Sequence, residues 1–72
     1  MKNTTYVINY GVYFNNGDYE SHKIKVKNCM SEIHSKIKLE EYLKKKYPKF
    51  KQLVVYSCVQ DFLGIYDLLG NI

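Results

Sequence analysis

Residues 30–47, MSEIHSKIKLEEYLKKKY, constrain the fold most, because no other segment combines helical length with a helical pattern. Five apolar side chains recur there at spacings of mostly three, four or six residues: Met30, Ile33, Ile37, Leu43 and Tyr47. This spacing keeps them within about half of the helix circumference, so we predict that this stripe packs on a sheet. We expect Asn28 or Ser31 to cap the first amides and Pro48 to end the helix.

Two strands are predicted before the helix. Residues 4–14 are rich in β-branched and aromatic side chains, and in residues 19–27 Ile24 and Val26 lie on one side with Lys23, Lys25 and Lys27 on the other. The turn sequence Asn15-Asn16-Gly17-Asp18 lies between them and is typical of a hairpin.

The apolar pattern predicts the register of this hairpin. A two-residue loop would place Ile8 opposite Lys25, which mixes core and solvent faces. A three-residue loop with a left-handed Gly17 pairs Ile8 with Ile24 and is therefore preferred. It also pairs Tyr6 with Val26. In this register the side chains under the helix are Tyr6, Ile8, Tyr10, His22, Ile24 and Val26.

After a loop at residues 48–52, the segment 53–59, LVVYSCV, predicts a buried third strand. The element order is then β-β-α-β, which indicates a small α+β domain with one helix packed on a three-stranded sheet. We place the first strand in the centre because it is the longest and is apolar on nearly both faces. Residues 1–72 form one domain, with a core at 1–60 and an apolar C-terminal segment at 61–72.

The formal charge is +4, and all eleven basic residues are lysines. Lysine binds phosphate as a point charge, whereas bidentate reading of guanine is mostly done by arginine, so sequence-specific base readout is not expected. The outer sheet face resembles, in its chemistry only, a platform for single-stranded nucleic acid. Its predicted residues are Tyr13, Tyr19, Lys23, Lys25 and Lys27. The alternative is a solvated lysine face that prevents aggregation.

Two further features favour a protein partner. Leu39 and Tyr42 lie outside the predicted stripe, so either they form an exposed apolar spot or a wide helix face buries Leu39. In addition, seven side chains of the C-terminal segment are apolar: Phe62, Leu63, Ile65, Tyr66, Leu68, Leu69 and Ile72. They cannot all turn inward on one short helix, so we expect some to meet a second chain, most simply a copy in a homodimer. The alternative is a mobile tail that a different protein captures. The predicted partner-binding residues are Leu39, Tyr42, Phe62, Ile65, Tyr66, Leu68 and Leu69.

No catalytic or metal-binding arrangement is expected. Cys29, Cys58, His22 and His34 have neither the spacing of metal ligands nor that of a nucleophile with its base. We therefore expect no enzyme activity, no cofactor, no metal and no small-molecule substrate. No segment is apolar enough to span a bilayer or to resemble a signal peptide, which favours the cytoplasm.

The length and the Lys-, Asn-, Ile- and Tyr-rich composition resemble those of small phage and mobile-element products, although this resemblance covers no motif. If the chain is phage-encoded, it is expected in the host cytoplasm. The sequence thus favours a non-enzymatic protein-interaction or accessory module that associates with itself or binds a host protein. The alternative function is a nucleic-acid-binding protein without sequence specificity.

Overall fold

The computed structural model describes residues 4–61 and 72. Four elements follow along the chain: β1 (Thr4–Phe14), β2 (Tyr19–Cys29), α1 (Glu32–Lys46) and β3 (Phe50–Gln60). β1 lies in the centre and pairs antiparallel with both neighbours, in the order β2-β1-β3. The predicted β-β-α-β arrangement, with one helix on three strands, is confirmed. β2 and β3 are both longer than predicted.

The hairpin has the predicted three-residue loop. Ile8 pairs with Ile24 and Tyr6 pairs with Val26. Gly17 has a φ of 91°, a left-handed conformation that glycine adopts without steric cost. The Asn16 side chain accepts a hydrogen bond from the backbone N–H of Asp18 at 3.0 Å, which fixes the turn locally.

The helix is slightly shorter than residues 30–47 and is capped at both ends. Ser31 is the N-cap residue, and its hydroxyl oxygen accepts a hydrogen bond from the His34 N–H at 3.1 Å. Tyr47 is extended, as expected before Pro48, and its N–H donates to the Leu43 carbonyl at 2.9 Å. Of the two predicted N-caps, the structure therefore selects Ser31.

The helix does not bury the predicted stripe. Leu43 is buried, but Met30, Ile33 and Ile37 are exposed, so the prediction was wrong for these three residues. The buried face instead runs along Ser35, Leu39 and Leu43. These positions are spaced by four residues and therefore lie above one another on the helix. The predicted stripe was chosen from apolar residues alone, whereas this face includes a polar serine. Here the Ser35 hydroxyl donates to the Glu32 carbonyl, which lets a small polar residue be buried.

The core lies between this helix face and one side of the sheet. It consists of nine buried residues: Ile8, Tyr10, Val12, Phe14, Ile24, Val26, Cys29, Leu39 and Leu43. His22 lies on the predicted side of the sheet, opposite the buried Tyr10, but it is exposed on β2 and the helix does not cover it. There its Nε2 lies 2.8 Å from the Glu20 carboxylate.

The last residue of the chain, Ile72, lies at the outer edge of β2. Its N–H donates to the Lys25 carbonyl at 3.0 Å, and its carbonyl accepts from the Lys27 N–H at 2.8 Å. Its side chain packs against the core. These two bonds satisfy part of an edge strand that would otherwise present unpaired backbone groups.

Candidate binding surfaces

The first candidate surface is the outer side of α1. Ile33 and Ile37 of α1 are 70% and 48% exposed, and Met30, just before the N-cap residue, is 62% exposed. We call these three residues the helix stripe. Leu39 and Leu43, by comparison, have no exposed surface. Large aliphatic side chains aligned on one side of a helix and left in water are a feature of protein-interaction surfaces.

Within the helix stripe, Ile33 lies toward β3, whereas Ile37 faces away from the sheet. The Ser35 hydroxyl contacts the Cys58 thiol of β3, and the Lys38 ammonium bonds the Lys27 carbonyl of β2. Ile33 lies about 140° around the helix from Lys38, because successive residues advance by about 100°. It is therefore on the β3 flank. In the part of the chain that the structure describes, no strand pairs with the outer edge of β3.

Charged side chains of both signs lie beside the helix stripe on this flank. Glu40 and Lys44 form an i,i+4 ion pair at 3.7 Å, and both side chains are about half exposed or more. Such an exposed pair adds little to stability. Its carboxylate and ammonium groups can still pair with opposite charges of a partner.

The second candidate surface is the side of the sheet that faces away from α1. Three tyrosines, which we call the tyrosine patch, lie there: Tyr13 on β1, Tyr19 on β2 and Tyr56 on β3. They are 41%, 43% and 57% exposed. The Tyr13 and Tyr19 ring centroids are 4.8 Å apart. The Tyr19 and Tyr56 hydroxyls are hydrogen-bonded to each other.

Gly11 of the central strand makes this contact between the two outer strands possible. A Cβ atom at Gly11 would lie 2.5 Å from the Tyr19 hydroxyl oxygen and 2.8 Å from that of Tyr56. Real Cβ atoms essentially never approach other atoms that closely. The absent side chain thus leaves the space in which the two phenols meet across β1.

The hydrogen bond between the phenols also changes the acidity of Tyr19. It is the largest cause raising the pKa of Tyr19 from 10.0 to about 12, and burial and the neighbouring phenols Tyr56 and Tyr13 add to the effect. Tyr19 therefore remains a neutral hydrogen-bonding group throughout the physiological range.

A hollow of about 460 Å³ lies next to the patch. Tyr19, Tyr56, Lys23 and Asn9 are among its lining residues. The Asn9 side-chain amide donates to the Ser57 hydroxyl at 3.0 Å, which fixes its orientation.

Of the predicted nucleic-acid residues, the structure places Tyr13, Tyr19 and Lys23 together at the end of the outer face nearest the hairpin. Lys27 is exposed nearer the other end of β2. The expectation that Lys25 is accessible was wrong, since it is only 6% exposed. Its β1 neighbour Val7 is also buried, so only part of this face is open.

The structure also decides between the two alternatives for Leu39 and Tyr42. Leu39 has no exposed surface, so it cannot be the accessible contact that we predicted. Tyr42 is half-buried against the core.

The Lys46 ammonium lies 5.5 Å from the Tyr42 ring and 5.4 Å from the Tyr47 ring. The hydrogen bond to Tyr42 is the largest cause raising the pKa of Lys46.

The cysteines and histidines form no recognisable reactive site. Cys29 is buried, and this burial raises the pKa of its thiol and makes it a weak nucleophile. Cys58 packs beside Ser35. Among residues 4–61 and 72, no group of three or more His, Cys, Asp or Glu side chains is placed to bind a metal ion.

The remaining predicted partner residues lie outside the described residues: Phe62, Ile65, Tyr66, Leu68 and Leu69. Sequence reasoning also missed Tyr56, because β3 was predicted to be buried. A register shift in the β1–β3 pairing, between Asn9 and Tyr10, leaves Tyr56 out of the paired positions. Such a bulge has no reliable sequence signal.

No family model matches the sequence, and no curated protein or solved structure matches it either. In the described part of the chain, no helix is long and apolar enough to cross a membrane. Any functional proposal therefore depends on the two surfaces themselves.

Proposed function

We propose that this protein is a non-enzymatic interaction module that associates with a second copy of itself through the helix stripe. The observation that carries the proposal is the exposure of Ile33 and Ile37 on the outside of a well-capped helix. Burying one such side chain yields about 1.5–3 kcal/mol, so two related stripes supply a substantial driving force.

A second copy is the occupant that the charges of this flank favour. The flank carries Lys36, Glu40 and Lys44, so it has both signs of charge. In a two-fold dimer whose axis is perpendicular to α1, the two helices run antiparallel, and Glu40 of each protomer can face lysines of the other. The outer edge of β3, with which no strand of residues 4–61 pairs, lies on the same flank and extends the surface toward the roughly 800 Å² per partner of a standard interface.

Light scattering after size exclusion tests this proposal. We expect a mass of twice the 8.5 kDa chain, and we expect the double variant Ile33→Glu, Ile37→Glu to be a folded monomer by circular dichroism. Lys45→Glu is the matched control, because it changes the net charge equally on the other flank. A monomeric wild-type protein, or a dimer that survives the double substitution, would contradict the proposal.

Nucleic-acid binding without sequence specificity is a second candidate function, favoured by the charge of the outer sheet face. No outward position of the three strands carries Asp or Glu, whereas Lys23 and Lys27 are exposed there. Exposed lysines on a sheet face suit a phosphate backbone.

Fluorescence anisotropy with a labelled oligonucleotide tests this second candidate. Affinity is expected to fall steeply with salt, and Lys23→Gln should reduce the slope of log K against log salt by about 1. Lys45→Gln on the helix serves as the control. Absence of binding at low salt would contradict this function.

The phage or mobile-element origin and the cytoplasmic location belong to the same proposal and are supported by composition alone. A host-protein partner is the alternative occupant of the helix stripe. Comparing the proteins captured by the immobilised wild-type chain with those captured by the Ile33→Glu, Ile37→Glu variant would detect such a partner.

A further inference from the structure

We infer that the tyrosine patch binds the unstacked bases of a single strand, and that Tyr56 and Asn9 belong to this site. The inference rests on the second candidate function and specifies its ligand. Phosphate contacts alone would make single strands, duplexes and other polyanions similar ligands. Exposed aromatic rings add a preference for bases whose faces are free.

The arrangement of the rings supports base stacking. Tyr13 and Tyr19 are in contact at an interplanar angle of 47°, so the two rings present differently oriented faces to solvent. The hydrogen bond from Tyr19 to Tyr56 holds two of the rings from opposite edges of the sheet. A platform that is ordered before binding loses less conformational freedom when the ligand arrives.

Gly11 determines the shape of this platform. Because β1 has no side chain at this position, the outer tyrosines lean over the central strand and meet above it. A larger residue at position 11 would push the ends of both rings outward. The result is an open aromatic surface that crosses all three strands.

Polar groups beside the platform suit the edges of a base. The Asn9 amide nitrogen donates to the Ser57 hydroxyl, and the carbonyl oxygen of the same side chain is an acceptor that can bind a base amino group. Asn9 and Lys23 both line the 460 Å³ hollow. A base on the patch and a phosphate near Lys23 can therefore be bound together.

The charge of this face favours nucleic acid over an acidic or apolar protein segment. Tyrosine is common at protein interfaces as well, but there it is accompanied by groups of both signs at the rim. The exposed charged side chains at the outward strand positions described here are the lysines Lys23 and Lys27. They complement a uniformly negative backbone with aromatic bases attached.

The test compares three labelled ligands of equal phosphate number per strand at low salt: a single strand of about 12 nucleotides, its abasic counterpart and a duplex. We expect the single strand to bind at least about tenfold more tightly than the abasic strand. Tyr56→Ala should weaken single-strand binding about 5- to 100-fold and leave abasic binding unchanged. Tyr56→Phe retains the ring and should retain most of the affinity.

Two results would overturn the inference in distinguishable ways. Equal affinity for the abasic and base-containing strands would refute base stacking and leave the second candidate function intact. Absence of binding to all three ligands would refute both. Gly11→Val is an independent variant of the same platform, and unchanged single-strand affinity in a folded Gly11→Val protein would also contradict the inference.

Discussion

The two sides of the sheet use the same central strand in different ways. On the covered side, Ile8 and Val12 of β1 have no exposed surface and pack in the core with Leu39 of α1. On the open side, Gly11 and Tyr13 of the same strand contribute to an exposed aromatic platform. Removal of apolar surface from water stabilises the fold on the first side, whereas the second side keeps its rings accessible.

Two tyrosines show this difference chemically. Tyr10 lies on the covered side, and burial is the largest cause that raises the pKa of its phenol. Tyr19 lies on the open side, and the hydrogen bond to Tyr56 is the largest cause that raises its pKa. The two shifts have the same direction, but only the second depends on a partner that a single substitution can remove.

The largest effect is expected from truncation on the covered side. Leu39→Ala should lower the free energy of unfolding by about 2–5 kcal/mol, because it leaves a cavity in a small core. Ile37→Ala is the matched control in the same helix, and its effect should be within about 0.5 kcal/mol, as for other exposed positions. Urea denaturation of both variants measures the difference.

A loss larger for Ile37→Ala than for Leu39→Ala would show that the helix presents the originally predicted stripe to the sheet. If the protein is dimeric, the comparison should be made at a concentration where both variants are monomers. Association would otherwise add to the apparent stability of any protein with an intact helix stripe.

The hairpin could be predicted in detail because two independent signals agreed. The Asn-Asn-Gly-Asp turn restricted the loop length, and pairing of Ile8 with Ile24 selected the register. For the helix, apolar spacing predicted the element and its caps but not its orientation. The buried face includes Ser35, and the exposed face includes two isoleucines, so hydrophobicity alone indicated the wrong side.

The candidate sites were less predictable for a related reason. Tyr13 and Tyr19 could be placed on the outer face because they are a direct pair in the hairpin register. Tyr56 joins them only through long-range pairing of β3 and a bulge in that pairing. The role of Gly11 as the space between two phenols depends on this same tertiary contact.

The second prediction concerns the close approach of the helix to the sheet at Ser35. Ser35→Leu should lower the free energy of unfolding by about 1–3 kcal/mol, since a larger side chain must displace β3 at Cys58. Ser35→Ala keeps the small volume and should cost no more than about 1.5 kcal/mol through its lost hydrogen bonds. If leucine is tolerated as well as alanine, helix–sheet packing at this point is loose.

The third prediction has the smallest effect on stability. It uses phenol titration to compare Tyr19 on the open side of the sheet with Tyr10 on the covered side. The folded-state pKa of Tyr19 is about 12, above the ordinary value of 10.0. The contribution of Tyr19 to the free energy of unfolding is therefore fully present below pH 10. It is lost as the pH rises from about 10 to about 12, because the Tyr19 phenol loses its proton at a lower pH in the unfolded chain than in the folded protein. The difference in phenolate absorbance between wild type and Tyr19→Phe should show a midpoint near 12.

Tyr56→Phe makes this test specific to the open side. It removes the hydroxyl that bonds Tyr19, so the Tyr19 midpoint should fall toward 10.0, while the benzene ring that fills the space above Gly11 remains. The pKa of Tyr10 should be unchanged, since its rise comes mainly from burial on the other side of the sheet. A Tyr19 midpoint near 10.0 in the wild-type protein would mean that the two phenols do not meet across β1 in solution, and the ordered platform proposed for base stacking would lose its main support.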